Sequence, residues 1–227
     1  MLYNVIKDGE SVSYVPTAPG KFVLVLLILI LLAAALFFAG KKSGSPKGRS
    51  LKLSAKQLAF CAVSIALGTV LSNIKLFEFP FGGSITLLSM LFICLPGYWF
   101  GLKAGLVTSV AYGVLQLLID PYVIHPAQLV VDYMLGFGAF GLSGLFSKKK
   151  NGLIKGYIAG IVGRWFFTTL SGWIFFAEYA WEGWAPLPYS LTYNGIYIFT
   201  EGAITLLILA VPHVREAFAR VKKLAAE

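Results

Sequence analysis

The stretch "HPAQLVVDYMLGFGAFGLSGLF" at residues 125–146 is long and apolar enough to cross a membrane as a helix. It nevertheless carries an acid, Asp132, with Tyr133 beside it. A charged side chain at the centre of a bilayer costs about 2.5–3.5 kcal/mol on insertion scales, so ionisable residues within spans are candidates for a function. We expect Asp132 to face the protein interior, and its neighbours decide what it does there.

The composition places the whole chain in the membrane. Of its 227 residues 58% are apolar and 13% are charged, whereas soluble domains carry about 25% charged residues. The two cysteines, Cys61 and Cys94, both lie in apolar runs and are expected as buried thiols rather than as a disulfide.

Apolar runs predict an all-α membrane protein with a six-helix core and one extra N-terminal transmembrane helix. The extra helix, 22–40, carries no charge and follows too long a polar segment to be a signal peptide. We divide the chain into an N-terminal tail, anchor helix and basic linker (1–52), a membrane core (53–213) and a basic tail (214–227). The six predicted core spans are 54–73, 84–100, 102–119, 126–146, 153–177 and 189–212.

The distribution of Lys and Arg predicts the orientation. With the N-terminus outside and the C-terminus in the cytoplasm, fifteen of the nineteen basic residues fall inside, as the positive-inside rule requires. The net charge of +9 is thereby explained by topology and requires no nucleic-acid partner. The tail after His213 has the pattern of an amphipathic helix at the membrane surface.

Polar and aromatic residues gather at the outer ends of the predicted core spans. Asp132 has three interpretations: a structural ion pair with Arg164, a proton carrier, or part of a cavity for a flat cationic ligand. In the last case rings supply cation–π attraction and the carboxylate a charge-assisted hydrogen bond. Glu201 is expected to make a hydrogen-bonded contact between helices, and His125 either caps its turn or lines the entrance.

Several catalytic motifs are absent from the sequence. It has no phosphate-binding G-x-x-x-x-G-K-[ST], no H-E-x-x-H and no G-x-S-x-G. The "GLSG" at 141–144 is similar to the serine motif of rhomboid-like intramembrane proteases, with Ser143 as nucleophile and His213 as base. A packing serine in a glycine-rich helix explains the same residues.

Three long stretches resemble the thiamine transporter family, the substrate-binding S components of energy-coupling factor (ECF) transporters. They are "FPFGGSITLLSML" (79–91), "GLKAGLVTSVAYGVLQLLIDPYVIHPAQLVVDYMLGFG" (101–138) and "GRWFFTTLSGWIFFAEYA…YSLTYNG" (163–195). The resemblance implies a six-helix bundle that binds thiamine from outside and contains no ATPase. It also implies docking onto a module of one transmembrane T component and two ATPase subunits. The small residues Ala59, Ala62 and Ala66 resemble the face that family members offer to the T component. Packing within the bundle is the alternative role for these alanines.

The resemblance also implies the binding residues, without any cofactor. Thr168 stands where family members commonly carry His, which raises a thiamine precursor such as a hydroxymethylpyrimidine as an alternative ligand. Phe77, Phe79 and Phe81 are candidates for an aromatic contact from the first loop. A solitary, proton-coupled transporter is the alternative to ECF-driven uptake, and a structural protein with an accidental pocket is a further one. The implied ligand contacts are Tyr122, Asp132, Tyr133, Thr168, Phe176, Tyr189 and Asn194.

Overall fold

The computed structural model describes residues 3–8, 11–17, 19–20, 22–23, 26 and 53–226. Near the N-terminus, strand β1 (Tyr3–Asp8) pairs antiparallel with β2 (Ser11–Pro16). Most of the predicted anchor helix and all of the basic linker lie outside the described residues, so the extra transmembrane helix stays a prediction. The division of the chain into three parts likewise stays a prediction.

Six helices form the membrane core, which confirms the predicted bundle. Five of them are long and apolar enough to cross a membrane, and the helix Ser89–Phe100 is shorter. We number them α1 (Ala55–Ser72), α2 (Ser89–Phe100), α3 (Leu102–Ile119), α4 (Pro126–Phe146), α5 (Gly152–Phe175) and α6 (Pro186–Ala210).

The predicted span 84–100 is wrong at its beginning. Residues Ser84–Thr86 form strand β4, which pairs antiparallel with β3 (Lys75–Glu78). Gly82, at φ 96°, makes the turn of this hairpin, a conformation that favours glycine. The helix begins only after Leu88, which has a left-handed backbone at φ 60°. We call residues 75–86 the outer hairpin, after the side of the membrane on which the sequence predicts it, and the end of the bundle that carries it the hairpin end.

Helix α4 is wound in three ways along its length. Pro126–Gln128 is α-helical, Leu129–Gly136 is a π-helix and Ala139–Phe146 is a 3-10 helix. Wide π-helical turns are rare and occur frequently at functional sites. Here the π-helical segment is the part of α4 that carries Asp132 and Tyr133.

Helix α4 packs closely against its neighbours because glycines line the contacts. A Cβ added at Gly105 of α3 would lie 2.6 Å from the Cα of Gly97 and 2.9 Å from the carbonyl oxygen of Gly141. The side chains of Phe140 on α4 and Tyr157 on α5 are almost completely buried beside this contact. The close approach of backbones is the usual basis of helix packing in membranes, where apolar residues gain little from leaving lipid.

A seventh helix, α7 (Pro212–Ala226), follows the core and is amphipathic. Its Phe218 packs at the edge of the core beside Phe92 of α2. Lys222 donates a hydrogen bond to the Ser147 carbonyl and lies 3.9 Å from the centre of the Tyr98 ring. Burial lowers the pKa of Lys222. The apolar side of α7 is thus docked on the bundle.

Candidate functional site

A cavity of about 460 Å³ opens at the hairpin end of the bundle, between the outer hairpin and helices α3 to α6. Its volume falls within the range of about 300–1,000 Å³ typical of small-molecule sites. All seven residues named from the sequence line it, although they come from five separate parts of the chain. They are Tyr122, Asp132, Tyr133, Thr168, Phe176, Tyr189 and Asn194.

Asp132 is held in the cavity wall by a glutamine one turn earlier on α4. Gln128 is almost completely buried, and its Nε2 donates to Asp132 Oδ2 at 2.9 Å. The same amide donates to the Tyr122 carbonyl and accepts from the Ile124 backbone N–H, each at 2.9 Å. Gln128 therefore ties the carboxylate to the turn that precedes α4.

Arg164 does not form the structural ion pair considered for Asp132. Among the described residues its guanidinium has no carboxylate within 4.0 Å. Its central carbon instead lies 3.9 Å from the centre of the Phe137 ring, which is a cation–π contact. Arg164 is still near enough to act on the charge of Asp132 through space. Asp132 and Arg164 therefore remain two separate polar groups of the cavity.

The aromatic side chains of the site are fixed by packing and by backbone hydrogen bonds. The rings of Tyr122 and Phe176 are stacked, with centres 5.9 Å apart and planes at 18°. Tyr133 Oη accepts a hydrogen bond from the Tyr122 backbone N–H at 2.8 Å. Tyr189, near the start of α6, contacts Trp181 of the preceding loop with ring centres 5.2 Å apart. These rings supply flat surfaces on which a heteroaromatic ligand can stack.

Thr168 and Asn194 use their polar groups mainly on the protein itself. The Thr168 hydroxyl donates within α5, to the carbonyl of Arg164 at 3.0 Å or of Trp165 at 3.2 Å. Asn194 donates to the Ser190 carbonyl at 2.9 Å and accepts from the Tyr197 hydroxyl at 2.7 Å. Both residues thus line the cavity and also stabilise the α5–α6 wall.

Four carboxylates line the cavity. Glu78 and Asp120 lie at its entrance, where both pair with Lys75, whereas Asp132 and Glu201 lie deeper and differ in how many acceptor positions the protein fills. A carboxylate offers about four lone-pair sites. Glu201 faces four donor groups of the outer hairpin and α2, which confirms the expected contact between helices. Asp132 receives one hydrogen bond from Gln128 and lies near the Ser171 hydroxyl. Of the two deeper carboxylates, Asp132 is therefore the one with acceptor capacity for a ligand.

The entrance of the cavity carries an ion-pair group on its exposed side. Lys75 Nζ lies 2.8 Å from Glu78 Oε1 and 3.1 Å from Asp120 Oδ2. The hydrogen bond to Glu78 and the attraction of Asp120 raise the pKa of Lys75. The pair with Asp120 links the outer hairpin to the end of α3.

Some lining residues are not among the ligand contacts predicted from the sequence. Among the first-loop candidates, Phe79 lines the cavity, while Phe77 has 56% of its surface exposed. Gln128 precedes Asp132 by one helical turn, and this spacing was a usable signal. Arg164 was interpreted only as an ion-pair partner. The other lining residues that were not singled out as ligand contacts include Phe137, Tyr193 and Tyr197.

The remaining candidates for chemistry lie outside the cavity and have structural contacts. The Ser143 hydroxyl is completely buried and donates to the Cys94 carbonyl at 2.7 Å, as expected of a packing serine. His125 caps its turn, since its Nδ1 accepts from the Ala127 N–H at 3.1 Å. Its ring is stacked on Phe175.

Comparison with known proteins identifies relatives of the chain. A sequence model of the family described as "Thiamine transporter protein" matches residues 58–219. The thiamine transporter ThiT of Bacillus subtilis (strain 168) is 32% identical over 167 residues, which cover 67% of this chain and 86% of that protein. A solved structure of ThiT from Listeria monocytogenes has a TM-score of 0.59 at 27% identity, covering 71% of this chain and 96% of the other.

Proposed function

This chain belongs to the thiamine transporter family, whose members are transporters and not enzymes, and we propose that it binds thiamine in the cavity at the hairpin end. Thiamine is a cation with two flat aromatic rings joined by a methylene group. The observation that carries the proposal is a carboxylate with acceptor capacity, Asp132, in a cavity lined by several aromatic rings. Such a site favours a positive charge and a stacked ring together.

We further propose that the chain is the S component of an ECF transporter, with the cavity opening to the outside and α7 in the cytoplasm. The described residues include no candidate ATPase motif, and the energy then comes from two ATPase subunits through a T component. Ala59, Ala62 and Ala66 are all exposed on α1. They therefore do not pack inside the bundle, which leaves them available to a neighbouring membrane helix.

Titration of the purified protein with thiamine, followed by Trp fluorescence, tests the proposed ligand. Trp181 contacts Tyr189 of the cavity wall, so binding should quench its emission. We expect saturable quenching below micromolar thiamine. Quenching by a hydroxymethylpyrimidine at lower concentrations than by thiamine would assign the site to the precursor instead, and no change with either ligand would contradict the proposal.

Reconstitution in liposomes tests the proposed coupling. We expect thiamine uptake only when the T component, both ATPases and ATP are present. Uptake by this chain alone, abolished by an uncoupler, would show that it is a solitary proton-coupled transporter.

Thr168→His tests the effect of the family's usual residue at this position. A ring at the cavity wall should add a stacking contact, worth about 0.5–1.5 kcal/mol. We therefore expect thiamine affinity to rise by about two- to tenfold, since 1.4 kcal/mol corresponds to a factor of ten. Thr168→Ser keeps the hydroxyl and serves as the control, with an unchanged Kd. Weaker binding of the histidine variant would show that Thr168 is adapted to a different ligand.

A further inference from the structure

Glu201 makes the largest set of hydrogen bonds of any carboxylate in the described part of the chain. It lies on α6 at the wall of the cavity and is 3% exposed. Its Oε2 accepts from the backbone N–H of Thr86 at 3.0 Å and from the Thr86 hydroxyl at 2.6 Å. Its Oε1 accepts from the Met90 N–H at 3.2 Å and lies 3.2 Å from the Ser89 hydroxyl. The single hydrogen of that hydroxyl is shared with the Thr86 hydroxyl oxygen, 2.6 Å away.

These donors lie on both sides of the junction between the outer hairpin and α2. Leu88, the residue before the helix, provides no side-chain cap. The first N–H groups of a helix have no partner within it, and a carboxylate there is also stabilised by the helix dipole. Glu201 therefore supplies from α6 the N-terminal cap that α2 lacks, and it fixes the last residue of the hairpin with the same group.

A second contact holds the turn of the outer hairpin to the same helix. The Tyr193 hydroxyl donates to the Pro80 carbonyl and accepts from the Gly83 N–H at 3.4 Å. The Phe79 ring, which lines the cavity, packs against Tyr193 with ring centres 6.0 Å apart. The hairpin is thus attached to α6 near its turn by Tyr193, which is partly exposed, and at its base by Glu201, which is buried.

We infer that Glu201 is a positioning residue for the ligand: it sets the place of the outer hairpin, and hence of Phe79, over the cavity without binding the ligand itself. The inference rests on the proposed thiamine site. It follows from the four donor groups that surround Glu201, because a carboxylate whose two oxygens both face protein donors has little acceptor capacity left for a ligand. Asp132 and Glu201 then have different tasks in one cavity.

Glu201→Gln tests this role through thiamine binding. The amide has one oxygen acceptor and presents an NH2 group to donors, so the cap is lost. We expect Kd to rise about tenfold, mainly through faster ligand release. Thr86→Val removes one of the donors and should raise Kd by less. The double variant should be no weaker than Glu201→Gln alone, because both changes break the same contact.

Hydrogen exchange of the ligand-free protein gives a readout that does not depend on thiamine. In both variants the backbone amides of residues 75–90 should exchange faster than in wild type. The amides in the cavity-facing part of α4 should exchange at the wild-type rate. The control, Ser143→Ala, removes a buried hydrogen bond from a different contact and should lower the melting temperature while leaving Kd and exchange at 75–90 unchanged.

Unchanged exchange at 75–90 in Thr86→Val and Glu201→Gln would overturn the inference, and so would strictly additive losses of affinity. If Glu201→Gln does not fold, the hydrogen exchange of Thr86→Val at residues 75–90 tests the inference by itself. A wild-type protein that binds no thiamine but shows the exchange differences would instead contradict the proposed function and keep Glu201 as the anchor of the hairpin.

Discussion

Asp132→Asn should weaken thiamine binding by about 10- to 150-fold. Hydrogen bonds to charged groups contribute about 1.5–3 kcal/mol, and each 1.4 kcal/mol is a factor of ten in affinity. Asn has nearly the same shape and can still accept the hydrogen bond that Gln128 now gives to Oδ2. The loss of thiamine affinity therefore reports the contribution of the negative charge and not that of packing. Isothermal titration calorimetry with thiamine measures it.

The control for Asp132→Asn is Glu216→Gln, which removes an exposed acid on α7. We expect its thiamine affinity to equal that of wild type. Affinity that is unchanged in Asp132→Asn would show that the carboxylate does not meet the ligand. Its role would then be confined to the hydrogen bond with Gln128 and the structure of α4.

Gly113→Ala should weaken thiamine binding more than tenfold, although Gly113 is not a lining residue. A Cβ at this position of α3 would lie 1.9 Å from the carbonyl oxygen of Tyr133 and 3.1 Å from Cβ of Phe137. Such a clash involves backbone and cannot be relieved by turning a side chain, so α3 and α4 must separate. The part of α4 that would move is the π-helical segment with Asp132 and Tyr133.

We expect Gly113→Ala to lose about 1–3 kcal/mol of stability, as overpacked cores do, and more than tenfold in thiamine affinity. Thermal unfolding and calorimetry measure the two effects. Gly195→Ala on α6 is the matched control, since the nearest atom to an added Cβ there is 3.4 Å away. Its affinity should be unchanged. Wild-type affinity in Gly113→Ala would show that the close contact of α3 with α4 does not position the site.

Hydropathy predicted the helical core because each span must satisfy its backbone within lipid, which strongly restricts the possible structures. It could not predict the beginning of α2. The residues "SITLL" at 84–88 are apolar enough for a helix and also for a buried strand, and a short apolar run does not distinguish the two. The difference comes from the pairing of Ser84–Thr86 with β3 and from Glu201, which is more than a hundred residues away in the chain.

The grouping of seven residues around one cavity followed from the resemblance to a family, since residues from five parts of the chain cannot be brought together by spacing alone. The π-helical winding of α4 had no signal in the composition of that span. It accompanies the close approach of the Tyr133 carbonyl to Gly113, a tertiary contact. Glu201 was correctly expected to join helices, but its partners depend on a hairpin that the sequence did not indicate.

The most direct test of thiamine binding is mass spectrometry of the small molecules that copurify with the protein from cells supplied with thiamine. We expect thiamine in the wild-type preparation and a strongly reduced amount in a parallel preparation of Asp132→Asn. A wild-type protein that carries no thiamine, or the same amount of thiamine in both preparations, would contradict the proposed role of Asp132 in thiamine binding.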